Sequence, residues 1–268
     1  MTAAAFLFDL STGALVLVLF GACLGATALG IFLGRRVRHL SDHLSEPFGV
    51  LQAAMLGVVG LILAFGLSLA LSRYEDRRAA IVDEANTIGT TYLRAQTLAE
   101  PVRSTSLDLL VAYTESAIRF SNSIPGTAEQ EAAAEAEHGL QRRLWGLAGQ
   151  ALDAAPQASA PRLYVETLNQ MIDAQTTRSA ALTNQVPTTV LLLEILGACI
   201  ALGLLAAYLA LVGRGFAGIL IASLLVAFLL FVTADLDRPT RGLIRIPDSV
   251  LTDELEAMQL PPAAAGPR

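Results

Sequence analysis

The chain has 268 residues, of which 54% are hydrophobic and 16% charged, with a net charge of −6 at pH 7. An acidic balance without basic runs or aromatic RNA-binding motifs argues against nucleic acid as a partner. The two cysteines, Cys23 and Cys199, both fall inside apolar runs, where small polarisable side chains pack well, and imply no disulfide framework.

An apolar run from about Gly13 to Gly34 comes first. Ala26, Ala28 and Gly30 imitate a signal cleavage site, but a signal carries its basic residues before the apolar core, and the first arginine here, Arg35, follows it. The run is therefore expected to stay in the mature protein as a first span. In the loop that follows, His39 and His43 are spaced to share a helix face; with no further ligands nearby they read as part of a polar helix at the membrane surface rather than a metal site.

From Gly49 to Ser72 the sequence contains no ionisable side chain. At about 1.5 Å per residue this run crosses the roughly 30 Å hydrocarbon core of a bilayer. It ends abruptly in the cluster RYEDRR, residues 73–78. The next stretch, about 115 residues from Arg73 to Val186, is too long for a simple loop and large enough for a small domain.

That domain is predicted to be helical, since Ala, Leu, Glu, Arg and Gln predominate. Ile81, Ala85, Ile88, Tyr92 and Ala95 recur at spacings of three and four, so the second span is expected to run on out of the membrane as one helix. Pro101 marks a break. A helix from about Ser104 to Ser121, a turn at 123–126 and a helix beginning at Thr127 with Glu129 in its first turn follow. PQASAP, residues 156–161, separates this helix from a last one, Arg162 to about Gln185, and Pro187 stands at the return to the membrane, suited to a first helical position or a kink.

Two more spans are predicted, about Thr188 to Val212 and Phe216 to Ala234. Glu194 is an ionisable residue within the first of them. Intramembrane carboxylates are costly, so it reads either as an anchor that snorkels to the headgroups or as a group lining an ion path. Gly213, Gly215 and Gly218 spell GxGxxG, yet no strand or βαβ unit surrounds them, so the match carries no dinucleotide site. CxxC, HExxH, GxSxG and Walker motifs are missing, which gives no support for an enzyme, a cofactor or a metal centre. The expected fold is all-α and polytopic, with four transmembrane helices in two pairs: residues 1–72, a helical extramembrane domain at 73–186, residues 187–234, and a C-terminal tail at 235–268 that is partly disordered towards PPAAAGPR.

Every basic residue is an arginine, and they flank both sides of the spans. Arg73, Arg77, Arg78, Arg178, Arg238, Arg241 and Arg245 outnumber Arg35, Arg36, Arg38 and Arg214, which favours a cytoplasmic middle domain. Short loops weigh more than long ones in this rule, which favours the reverse, so both orientations stay open.

LAFGLSLALSRYEDRR, Leu63 to Arg78, resembles the second transmembrane helix of bestrophins, in which an apolar helix with a phenylalanine leaves the membrane through a small residue, an arginine and an aromatic; Ser72, Arg73 and Tyr74 stand in those places. VDEANTIGTTYLRA, Val82 to Ala95, and ADLDRPTRGLIRIP, Ala234 to Pro247, look more specifically like the bacterial bestrophin-like membrane proteins. The resemblance extends from about Gly49 to Met258. It implies a homopentamer in a bacterial inner membrane, around one axial pore lined by the second helices, with the middle helices forming a cytoplasmic vestibule. Small inorganic ions would pass, with anions preferred. The apolar neck of bestrophins falls on Phe65, Leu61 and Gly57, with Val58 able to supply the outermost ring that Gly57 lacks. Apolar rings one turn apart share a helix face and can gate by dewetting. Helix packing is the rival reading, because Gly57, Gly60, Ala64 and Ser68 form a small-residue stripe.

In animal bestrophins acidic residues after the last span help bind calcium. Asp235 and Asp237 occupy a similar place, but two carboxylates fall short of the six to eight oxygens calcium prefers, so no calcium site is expected. They are expected instead to pair with Arg73, Arg77 or Arg78 at the same membrane face. A membrane sensor or scaffold, with a periplasmic ligand-binding middle domain, is the alternative function, and the location of Ala155 separates the two.

Overall fold

The computed structural model describes residues 10–38, 41–213, 216–238 and 240–262, leaving aside the side chains of 41–45 and 216. His39, the His43 side chain, Arg214, Gly215 and the chain end from residue 263 lie outside the described residues. The described residues form helices and no strand. In chain order the helices are α1 (Thr12–Arg36), α2 (Ser41–Ala95), α3 (Val102–Asn122), α4 (Ala128–Ala154), α5 (Ser159–Thr183), α6 (Thr188–Val212), α7 (Phe216–Leu236) and α8 (Ser249–Met258). Four helical stretches, in α1, α2, α6 and α7, are long and apolar enough to cross a membrane. The chain divides into two compact units, one of Met1–Tyr74 and Gln185–Arg245, the other of Glu75–Asn184 and Ile246–Arg268.

In the first unit, the membrane unit, α1 packs mainly on α6 and also on α7. Lipid supplies no hydrophobic drive between helices, so close backbone approach must supply the contact. A methyl group at Gly30 would collide with the carbonyl of Gly203, and one at Gly34 with that of Ala207. Between α1 and α7, the Thr27 and Ser223 hydroxyls meet at 2.6 Å, and each also lies 2.8 Å from a carbonyl of its own helix, Cys23 O and Ile219 O. One hydroxyl proton therefore bridges α1 and α7 while the other stays on its own helix. Leu15, Leu19, Leu63, Leu191, Leu202 and Leu230 fill the remaining interior. Cys23 and Cys199 are both free thiols.

The helices end where local chemistry stops them. Ser11 caps α1 by accepting from Ala14 N–H. Gly213 closes α6 in the left-handed region, at φ 78°. Thr127 caps α4 by accepting from Gln130 N–H, while the Gln130 side chain accepts from Gly126 N–H in the positive-φ turn before it. Two expectations move slightly. Pro187 precedes the first residue of α6 rather than being it, and α5 starts at Ser159 rather than Arg162. Pro161 is tolerated there because the first turn of a helix has no intrahelical acceptor for its N–H groups.

The second unit, the helical unit, contains the C-terminal part of α2 with α3, α4, α5 and α8 around a core that includes Leu110, Tyr113, Leu144, Tyr164, Leu168 and Met171. The predicted stripe is its α2 wall: Ile81, Ala85, Ile88, Tyr92 and Ala95 are all buried. Helix α8 lies in a stretch expected to be tail. Its Leu251 and Met258 are buried, Tyr92 Oη donates to Met258 O at 2.8 Å, and Asn122 Nδ2 donates to Asp248 Oδ2 at 2.6 Å. Gly89 leaves room on α2 for the Glu254 side chain, whose carboxyl is raised above its ordinary value by burial.

Candidate functional site

Helix α2 has two unlike faces within the membrane unit. Val59, Leu63, Gly66 and Ala70 point inward and are buried. Three of the residues on the opposite side are large and apolar: Val58 is 57% exposed, Leu61 58% and Phe65 67%. Gly57, Gly60, Ala64 and Ser68 beside them are exposed as well, and a methyl group at Gly57 or Gly60 would meet nothing. The expected neck residues and the small-residue stripe thus share one face, exposed among the described residues of the chain.

The inward face holds Glu194. Its carboxylate is buried against α2 at Gly66, where any side chain would overlap it. Glu194 Oε1 has no hydrogen-bond partner among the described residues. A glycine one position after Phe65 is therefore what admits an acidic side chain from α6 to the back of the helix bearing the expected neck.

Several of the charges expected at the membrane face hydrogen-bond to backbone groups. Asp235 is fully buried; its Oδ1 accepts from Leu243 N–H at 3.0 Å and its Oδ2 from Ile244 N–H at 2.8 Å, which folds the chain after α7 into a tight turn. Asp237 Oδ2 accepts from Val186 N–H at 2.8 Å, tying the start of α6 to the end of α7. Arg238 donates to Leu10 O. Arg77, only 1% exposed, donates through Nε to Ala181 O and through Nη2 to Asn184 O at 2.7 Å, and so satisfies carbonyls at the C-terminus of α5. Arg78 is exposed and lies 3.8 Å from Glu75, while Arg73 is half-buried.

A second charged site, not anticipated above, lies at the centre of the helical unit. Arg178 on α5, Glu84 on α2 and Glu137 on α4 are all fully buried. Arg178 Nη2 donates to both Glu137 oxygens at 2.8 Å, and Nη1 donates to Ala117 O and Ser121 Oγ on α3. Nε lies 2.7 Å from Glu84 Oε2, but the N–H does not point at that oxygen, so this contact is an ion pair rather than a hydrogen bond. Tyr113 Oη donates to Glu84 Oε1 at 2.9 Å, Gln175 Nε2 donates to Glu137 Oε2 at 3.0 Å, and the Phe120 ring covers the guanidinium at 4.6 Å.

Two carboxylates share one cation here, out of water. Burial pushes the Glu84 carboxyl up to about 7, with Arg178 opposing and Glu137 adding to the rise. Burial also works against the charge on Arg178, but Glu84 and Glu137 outweigh it and hold the guanidinium above its ordinary value. Tyr113 is held well above the usual phenol range, first by burial and then by the two glutamates. Arg178 is thus an internal ion-pair residue and not one of the charges flanking a membrane end. The signal was present in the sequence as charge inside an apolar stripe: Glu84 lies between Ile81 and Ala85, and Arg178 between Ala174 and Leu182. Among the described residues no group of three or more potential ligands is arranged to hold a metal ion.

A sequence model of the bestrophin-like domain matches residues 21–251. No curated protein matches the chain. Among solved structures, a variant of a bacterial bestrophin homologue from Klebsiella pneumoniae superposes with a TM-score of 0.64 at 15% identity, covering 88% of this chain and 96% of that one. A structure of the Klebsiella pneumoniae homologue phased with zinc gives 0.63 at 18% identity, covering 88% and 95%. A variant described as a membrane protein gives 0.67 at 16% identity, covering 91% and 99%. At such identities the likeness concerns the fold.

Proposed function

The chain belongs to the bestrophin-like family, and from that premise we propose that it is an oligomeric ion channel of a bacterial cytoplasmic membrane, with α2 lining the pore. The observation that carries the reading is the outer face of α2. Leu61 and Phe65 stand one turn apart and exposed, beside a small-residue stripe that is likewise exposed among the described residues. Small residues let helices of neighbouring subunits approach closely, and apolar rings brought together by that approach form a constriction that water leaves readily. Gly57 widens the outermost ring, and Val58 borders it. By resemblance to bestrophins the assembly is a pentamer, the helical unit faces the cytoplasm, and anions pass in preference to cations.

Glu194 has a supporting role in this reading. Set against Gly66, it fixes the rotation of α2 and thereby which face turns to the axis. Ion flux from proteoliposomes containing purified wild type or Phe65→Ala, with anion and cation gradients applied separately, tests the proposal. Wild-type flux that rises or changes selectivity in Phe65→Ala supports a pore neck at this residue. No flux from either, in protein shown to be folded and oligomeric, favours a sensor or scaffold that keeps the fold without conduction.

A further inference from the structure

A long groove runs between α1 and α6, along their close backbone contact. It has a volume of about 650 Å³. Gly34, Gly203 and Ala207, the residues that let the two backbones approach, leave its floor low, and Leu29, Leu33, Ile200 and Leu204 form its walls. From Ala26 to Val37 it follows α1 for about three turns, or about 16 Å at the helical rise. That is close to one leaflet of a bilayer, half of the roughly 30 Å hydrocarbon core. The volume lies within the range of specific small-molecule sites, roughly 300–1,000 Å³.

The end of the groove nearest the α1–α2 loop is charged. Arg36 lines it, with its guanidinium 4.9 Å from the Phe32 ring centroid and with no hydrogen bond or ion pair among the described residues. Arg38 lies at the same end, over Gly213, and Arg35 precedes Arg36 on the helix. An apolar trough open to lipid is filled by hydrocarbon in a membrane, but hydrocarbon alone gives no reason for a guanidinium at its mouth. A planar guanidinium matches the oxygens of a phosphate. The chain as a whole is acidic, at −6, so a preference for anionic lipid must come from a local cluster such as this one.

We propose that this groove binds one acyl chain of an anionic phospholipid, with the lipid phosphate on Arg36. The lipid is a bound component of the membrane unit that covers the α1–α6 seam in the leaflet next to the α1–α2 loop.

Lipid-quenched fluorescence tests the proposal on the full chain. The single tryptophan, Trp145, lies in the helical unit and is replaced by Phe, and Leu33→Trp places a probe in the groove wall. The protein is reconstituted in vesicles of brominated phosphatidylglycerol or brominated phosphatidylcholine mixed with their unbrominated forms. Ile221→Trp, on an exposed apolar face of α7, is the control. The expected result is that the groove probe prefers phosphatidylglycerol by about fivefold, the preference one arginine near a membrane surface confers, and that Arg36→Gln removes the preference. The control should show none. Equal quenching by both lipids in the Arg36 protein overturns the proposal and leaves only ordinary bilayer hydrocarbon in the groove. No quenching by either overturns it in favour of a second copy covering the seam. Leu29→Trp, one turn deeper in the same wall, repeats the measurement if Leu33→Trp fails to assemble.

Discussion

In the membrane unit α1 meets α6 through Gly30, Gly34, Gly203 and Ala207 and meets α7 through one hydroxyl pair, whereas in the helical unit four helices converge on Arg178 and two glutamates. The two solvents explain the contrast. In lipid an apolar side chain gains nothing by leaving the surroundings for a protein interior, so the helices depend on close backbone contact and sparing polar pairing. In water the apolar core of the helical unit supplies the cohesion. That leaves room for a charged centre whose fixed geometry ties α2, α3, α4 and α5 into one arrangement, although a buried ion pair is weak evidence for stability as such.

The largest effect is expected where that centre is opened. Arg178→Met leaves Glu84 and Glu137 buried without a cation, and chemical denaturation of the helical unit should show a loss of about 3–5 kcal/mol. Adding Glu84→Leu and Glu137→Leu to the same protein should recover much of the loss, because no uncompensated charge is then buried. A triple variant as unstable as Arg178→Met alone would show that the network's shape, and not its charge balance, holds the helices.

The pH dependence sharpens the same point. The Glu84 carboxyl titrates higher in the folded state, about 7, than its ordinary 4.5. Its contribution is fully present below the unfolded value and is lost as pH rises through the folded one. At about 1.4 kcal/mol per pH unit, stability should fall by about 3 kcal/mol between pH 4.5 and 7 on this account. Glu84→Gln should flatten that part of the pH–stability curve, and an unchanged slope in the variant would assign the titration to another group.

Smaller effects are expected in the membrane unit. Gly30→Leu forces a side chain into the Gly203 carbonyl and should cost about 1–3 kcal/mol by overpacking, seen as a lower melting temperature in detergent. The smallest is the Thr27–Ser223 pair. A double-mutant cycle with Thr27→Ala and Ser223→Ala should give a coupling of about 0.6 kcal/mol. A coupling as large as that of the Arg178 network would break the contrast between the two units.

The spans and the continuous α2 were legible in the sequence because uncharged runs and three-four spacing state them residue by residue. The breaks at Pro101 and at 123–126 were legible for the same reason, since their signals are local. Helix α8 was not. Its ten residues are too short to show a sustained period, and it is stabilised by partners as distant as Tyr92 and Asn122. Glu194 stood out as an intramembrane carboxylate, but nothing in α6 shows that its place is made by Gly66 in another helix. Glu84, Glu137 and Arg178 each look like ordinary surface charges of a helix. Their pairing is a property of the packed helices, with only their positions inside apolar stripes as a trace.

If the outer face of α2 lines a water-filled pore, a thiol at position 65 meets water-soluble reagents. In a background with Cys23→Ala and Cys199→Ala, Phe65→Cys in proteoliposomes is exposed to a charged, water-soluble thiosulfonate, with Leu225→Cys on the exposed apolar face of α7 as the reference. A pore at this face gives a Phe65→Cys that reacts, with ion flux falling as it does, while Leu225→Cys stays unmodified. A Phe65→Cys that is as inert as Leu225→Cys, in protein that assembles normally, would place this face in lipid or between helices and contradict the pore.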